Sequence, residues 1–102
     1  MKEREIEARL RKYLDRDRNG VRRALIETLL SGQKYTTDEI YRILNGREFE
    51  LNIRGVSAMV GLIGARIGIL KVEMGEKNRY YLKEEYRNLV KRVLEEYDSK
   101  DI

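Results

Sequence analysis

Lys71, Lys77 and Arg79 bracket the stretch GEKN, with Arg54 and Arg66 upstream, and cations grouped around a turn suit contact with phosphate oxygens. Glu73 and Glu76 stand among them, so a second account is open: charges on an edge hairpin keep it soluble and unpaired. Another cluster, Arg16, Arg18, Arg22 and Arg23, surrounds Asn19 and Gly20 and reads as a solvated corner partly paired with Asp15 and Asp17. Acid pairs such as Glu84 with Glu85 or Glu95 with Glu96 are neighbours on a helix, where side chains diverge by about 100° and cannot face one substrate together. The chain has neither histidine nor cysteine, which removes thiolate chemistry, His or Cys metal sites and the usual general base. No catalytic residue, metal or cofactor is expected, and the chain is not expected to be an enzyme.

A length of 102 residues suits one domain, able to bury a core without disulfides. Lys and Arg number 22 against 18 for Asp and Glu; a net charge of +4 permits a nucleic-acid partner without demanding one. No apolar run is long enough to span a membrane, and the N-terminus MKEREIEARLRK lacks the apolar segment of a signal peptide, so a cytoplasmic protein without a membrane partner is expected.

The elements that must position these residues follow from periodicity. Ile6, Leu10, Tyr13 and Leu14 recur at helical spacing within 2–17, and Asn19 and Gly20 stop that helix. VRRALIETLL places Val21, Ala24, Leu25, Thr28 and Leu29 on one face and ends at Ser31 and Gly32. Thr36 and Glu39 have capping-box spacing before a short helix with Ile40, Ile43 and Leu44 as its apolar face. REFELN is a loop with Phe49 and Leu51 as core anchors, carrying Glu48 and Glu50. Asn52 then caps a helix over 53–67 that Gly68 terminates in the left-handed conformation. Leu70, Val72 and Met74 alternate with Lys71 and Glu73 in a hairpin over 69–82. A last helix over 83–98 carries Tyr86, Leu89, Val90, Val93, Leu94 and Tyr97 as a stripe, and the tail SKDI is expected to fray.

This order, with YTTDEIYRIL entering a second helix, VSAMVGLIGARIGILKVE running from a third helix into a strand, and NRYYL returning, resembles the winged helix-turn-helix superfamily. The fold expected is mainly α with a small antiparallel β-hairpin: a core over 21–82 with added N- and C-terminal helices, forming a single domain over 1–102. The whole chain also resembles a small archaeal winged-helix family of unknown function, which supplies no activity. The superfamily resemblance implies a third helix in the DNA major groove and a wing on the backbone. Those roles would fall on Arg54, Ser57, Ala58 and Leu62 for the groove, and on Lys71, Lys77 and Arg79 for the wing, with Arg66 nearby.

The residues themselves qualify this picture. On the helix over 53–67, Val56, Met59, Val60, Ile63 and Ile67 point one way, leaving Arg54, Ala58, Gly61, Leu62 and Ala65 opposite. Only Arg54 and Ser57 are fit to read base edges. Ser57, Gly61, Gly64 and Gly68 lie along one flank, and close packing by another helix is the first account of their smallness; close approach of DNA or a protein is the second. Asp38 and Glu39 suit the helix dipole yet repel phosphate. The two outer stripes could cover each other or pair across a two-fold axis; a homodimer is expected, with Ile6, Leu10, Tyr13, Leu14, Tyr86, Val90, Val93 and Tyr97 as the interface. Two functions emerge: a DNA-binding transcription regulator, or a winged helix used as a protein-interaction or assembly module, with Gly61, Leu62 and Ala65 as its contact.

Overall fold

The computed structural model describes residues 2–47 and 49–100. Helix α1 (Lys2–Asp15) is followed by α2 (Val21–Leu30), α3 (Thr37–Asn45) and α4 (Ile53–Leu62), which continues into a π-helical turn (Ile63–Ile67). Strands β1 (Leu70–Glu73) and β2 (Arg79–Leu82) form an antiparallel hairpin, and a 3-10 turn (Glu84–Tyr86) leads into α5 (Arg87–Lys100). The architecture is mainly helical with one hairpin, compatible with a winged helix-turn-helix core to which α1 and α5 are added. Among the described residues no helix is long and apolar enough to cross a membrane.

Local chemistry starts and stops these elements. Asp17 caps α2, its two carboxylate oxygens accepting the backbone N–H groups of Arg22 at 3.1 Å and Arg23 at 3.0 Å. Gly20, at φ 85°, makes the left-handed turn that sets this geometry. At α3 both arms of the capping box are formed: Thr36 Oγ1 accepts the Glu39 N–H at 3.1 Å, and Glu39 Oε1 accepts the Thr36 N–H at 2.9 Å. Just before it, Tyr35 exchanges backbone hydrogen bonds with Tyr80 at 3.0 and 2.7 Å, which adds a one-residue rung to the hairpin. Sequence periodicity carries no sign of that rung.

The core is one cluster to which every helix contributes, including Leu10, Leu25, Ile40, Val60 and Val93, with Phe49 and Leu51 packed on its edge. Three expectations need correction. Ile43 is 37% exposed, because α3 is too short to bury more than Ile40 and Leu44. Val72 and Met74 are 40% and 74% exposed, since the hairpin projects beyond the core and only its base at Leu70 and Leu82 is packed. Ile26, assigned to no face by periodicity, is fully buried because α2 is covered from several sides. Glu48, Asp101 and Ile102 lie outside the described residues, whereas Ser99 and Lys100 of the tail continue α5.

The largest correction concerns the two outer stripes. Ile6, Leu10, Tyr13 and Leu14 of α1 and Tyr86, Val90, Val93 and Tyr97 are all buried within the single chain, so they offer no surface to a partner. The reason is intramolecular docking: α1 packs on α5 and on the π turn. Polar contacts fix the register. Arg11 bridges Glu7 at 3.0 Å and Glu96 at 2.5 Å, Arg92 reaches Glu7 at 2.5 Å, and the Tyr97 hydroxyl donates to the Arg11 carbonyl at 2.8 Å and to Asp15.

Two measurements check this account. Leu10→Ala should cost about 2–5 kcal/mol in urea denaturation, independent of protein concentration, because it empties a fully buried site; a dimer-interface leucine would give a concentration-dependent loss. Glu7 is held below its ordinary pKa of 4.5 by hydrogen bonding from Arg11, and Glu39 below the same value by the Thr36 backbone N–H. Groups so depressed stabilise the fold above their unfolded pKa and lose that contribution as pH falls through the folded value. Tm should therefore hold from neutrality to about pH 5 and fall below it. Glu39→Gln, which keeps an acceptor for Thr36, should make the fall shallower.

Candidate nucleic-acid interface

Asn52 starts α4 by accepting the Gly55 N–H at 2.7 Å. A Cβ on Gly55 would sit 3.3 Å from that same Asn52 oxygen, so glycine keeps the cap unstrained. Val56, Val60, Ile63 and Ile67 turn inward and are buried, with Met59 half-buried beside them. The last turn closes over five residues, the Gly68 N–H donating to the Ile63 carbonyl at 3.0 Å, and Gly68 then adopts φ 82° to release the chain into β1.

Arg54, Ser57, Ala58, Gly61, Gly64, Ala65 and Arg66 are left exposed on the outward side, and Leu62 is half-buried. A Cβ placed on Gly61, Gly64 or Gly68 would meet nothing within 4 Å. Among the described residues no helix packs closely against this flank, so close packing does not account for these glycines. Neighbouring elements approach α4 from the aliphatic side, where burial is worth most. The glycines instead leave a smooth, unobstructed surface.

The wing pairs Leu70 with Leu82, Lys71 with Tyr81, Val72 with Tyr80 and Glu73 with Arg79. Its cations differ in their surroundings. Lys77 reaches Asp38 of α3 at 3.1 Å, and Glu73 binds Lys34, which precedes α3, at 2.5 Å. The Lys34 ammonium also lies 5.0 Å from the centroid of the Tyr81 ring. The hydrogen bond to Glu73 raises the pKa of Lys34, and the same contact lowers that of Glu73. Arg79 lies opposite Glu73 across the strands and within electrostatic reach of Glu39. Lys71 is exposed and has no ion pair among the described residues. Wing charge is thus largely answered by acids of the wing and α3.

The arginine-rich corner also departs from expectation. Asp17 is engaged by the α2 backbone and Asp15 by Tyr97, so these acids do not form the expected side-chain pairs with Arg16, Arg18 or Arg22 among the described residues. Arg22 stacks over the Tyr13 ring at 4.6 Å and donates to the Tyr13 carbonyl at 2.9 Å. Arg23 reaches Asp98 of α5 at 3.6 Å.

One feature was missed from sequence altogether. Arg9, Lys12 and Arg16 of α1 share an open cleft of about 310 Å³ with Arg22 and with Arg66 of the π turn. Leu62, Ile67 and the Tyr13 ring form its apolar part. The spacing of Arg9, Lys12 and Arg16 was available as a helical face. That Arg66 would meet them across α1 was not.

The chain belongs to the family described as "Protein of unknown function (DUF2551)", which matches residues 10–90. That span runs from α1 into α5 and so takes in both added helices in part. An "Uncharacterized protein" of Archaeoglobus fulgidus is 62% identical over 94 residues, covering 92% of this chain and 97% of that protein. No solved structure gives a significant match.

The open space over the glycines has a direct thermodynamic consequence. Gly61→Ala should raise stability by about 0.5–1 kcal/mol, seen as a higher Tm, because it improves helix propensity and meets no neighbour. A lower Tm would show that something does lie against this flank.

Proposed function

We propose that the chain is a duplex-DNA-binding protein of the winged helix-turn-helix superfamily, acting as a transcription regulator, with α4 directed at the major groove and the β1–β2 wing at the backbone. The observation that carries this reading is the open, small-residue outward face of α4, bounded by exposed Arg54 and Arg66. A major groove about 12 Å wide admits an α-helix, and side chains no larger than alanine at 58, 61, 64 and 65 let the helix sit deep. Arg54 and Ser57 are the groups there suited to base edges, so affinity is mostly electrostatic and discrimination between sequences modest. The Lys77–Asp38 pair does not oppose this: both partners are exposed, and such pairs contribute only about 0–1 kcal/mol, so a phosphate can take the ammonium over.

Exposure of Val72 and Met74 on the wing favours a second reading, a protein-interaction or assembly module. The surface first expected to serve it is less suited, because Leu62 is half-buried against the chain's own core.

Fluorescence anisotropy with a labelled duplex separates the two. At about 0.9 counterions released per phosphate contact, Arg54, Arg66, Lys71, Lys77 and Arg79 together predict a slope of log K on log salt of about −4.5. Gly61→Leu should weaken duplex binding by about tenfold or more without lowering Tm, since the added bulk faces only solvent and the approaching groove. Absence of duplex binding at about 50 mM salt would reject the DNA reading. Loss of a protein contact in Met74→Glu would then support the alternative.

A further inference from the structure

The cleft between α1 and the end of α4 is not needed by a helix that enters a groove with its outward face, yet it gathers five cations. Arg9, Lys12, Arg16, Arg22 and Arg66 border it and no carboxylate does. Arg9, Lys12, Arg16 and Arg66 form no ion pair among the described residues, as Arg54 and Lys71 also do not, whereas Arg11 pairs with Glu7 and Glu96, Lys34 with Glu73, Arg47 with Glu27 and Lys77 with Asp38. Nearby Asp15 and Asp17 have their oxygens engaged by Tyr97 and by the start of α2. A cleft lined by one sign of charge focuses its field and concentrates counter-ions.

A second, independent observation concerns Tyr13. It is 5% exposed and borders the cleft, and its hydroxyl is buried with no hydrogen-bond partner. Leaving a buried hydroxyl unsatisfied is costly, and in native structures such a group calls for a role. Burial raises its pKa to about 12, so it remains a neutral donor at any physiological pH. Arg22, held over the ring and by the Tyr13 carbonyl, is already oriented, which lowers the entropic cost of using its guanidinium as a clamp.

We infer that this cleft binds a nucleoside polyphosphate, the phosphates held by the arginines and Lys12 and the base resting on the half-buried Leu62, beside the nearly covered Ile67 and Tyr13 ring. The class follows from the two halves of the cleft. Bare phosphate would satisfy the cations and leave the apolar part uncovered, while an apolar ligand would leave the cations without counter-charge. A volume of about 310 Å³ suits a small ligand partly open to solvent. Duplex backbone fits less well, because its phosphates lie on a convex surface.

Calorimetry on the full chain at low salt, with ADP and inorganic pyrophosphate as probes, tests the assignment. ADP should bind one to one and about tenfold or more tighter than pyrophosphate, because only ADP covers the apolar part. Arg16→Glu, at an exposed position, should weaken ADP by about tenfold or more with Tm unchanged. Arg54→Ala, remote from the cleft, should leave ADP affinity unchanged, so the outcome is independent of whether α4 binds duplex. No ADP binding at about 1 mM, equal affinity for ADP and pyrophosphate, or an unaltered affinity in Arg16→Glu each overturns the inference.

Discussion

Val56, Val60, Ile63 and Ile67 are almost wholly removed from water, and their docking decides what the rest of the chain can present. With Val56, Val60, Ile63 and Ile67 drawn inward, the outward side of α4 is left mainly to arginine, serine, alanine and glycine, with Ile53 exposed at its start and Leu62 half-buried near its end. The same docking places Gly68 where the chain must reverse. Ile69 is buried immediately after it, and the Lys83 N–H donates to the Ile69 carbonyl at 2.8 Å, which closes the base of the hairpin. Helix α1 then lies against α5 and the π turn, so α4, the hairpin and the added helices share one support.

Charge is distributed over that support unevenly. Carboxylates hold the outer surface of α1 and α5 together through Glu7 and Glu96, and they tie the wing to the body through Asp38 and Glu73. The cations of the α1–α4 cleft have no such partners among the described residues. A modest net charge of +4 is therefore unevenly spread, with five cations gathered at that cleft.

The glycines of α4 divide by cause. Gly68 has the positive φ that terminates the π turn, and Gly55 gives room to the Asn52 cap. Gly61 and Gly64 have neither cause. Each weakens the helix by about 0.5–1 kcal/mol relative to alanine, and no packing contact within the chain offsets that loss.

Much of the fold was legible in the sequence because it rests on short-range physics. The Thr36–Glu39 box, the Asn52 cap, the left-handed Gly68 and the buried stripes of α1 and α5 are each set within a few residues, by hydrogen bonds of fixed reach or by a 3.6-residue period. What periodicity does not encode is which apolar face meets which. The same stripes that could have paired across a dimer close on each other, and a glycine flank suited to helix packing faces open space. The cleft joins Arg9 and Arg16 to Arg66, residues far apart in the chain. Sequence alone determined the elements, their caps and their inward faces; tertiary structure alone decided the partners of those faces and the convergence of charge, because both depend on long-range docking that no local spacing records.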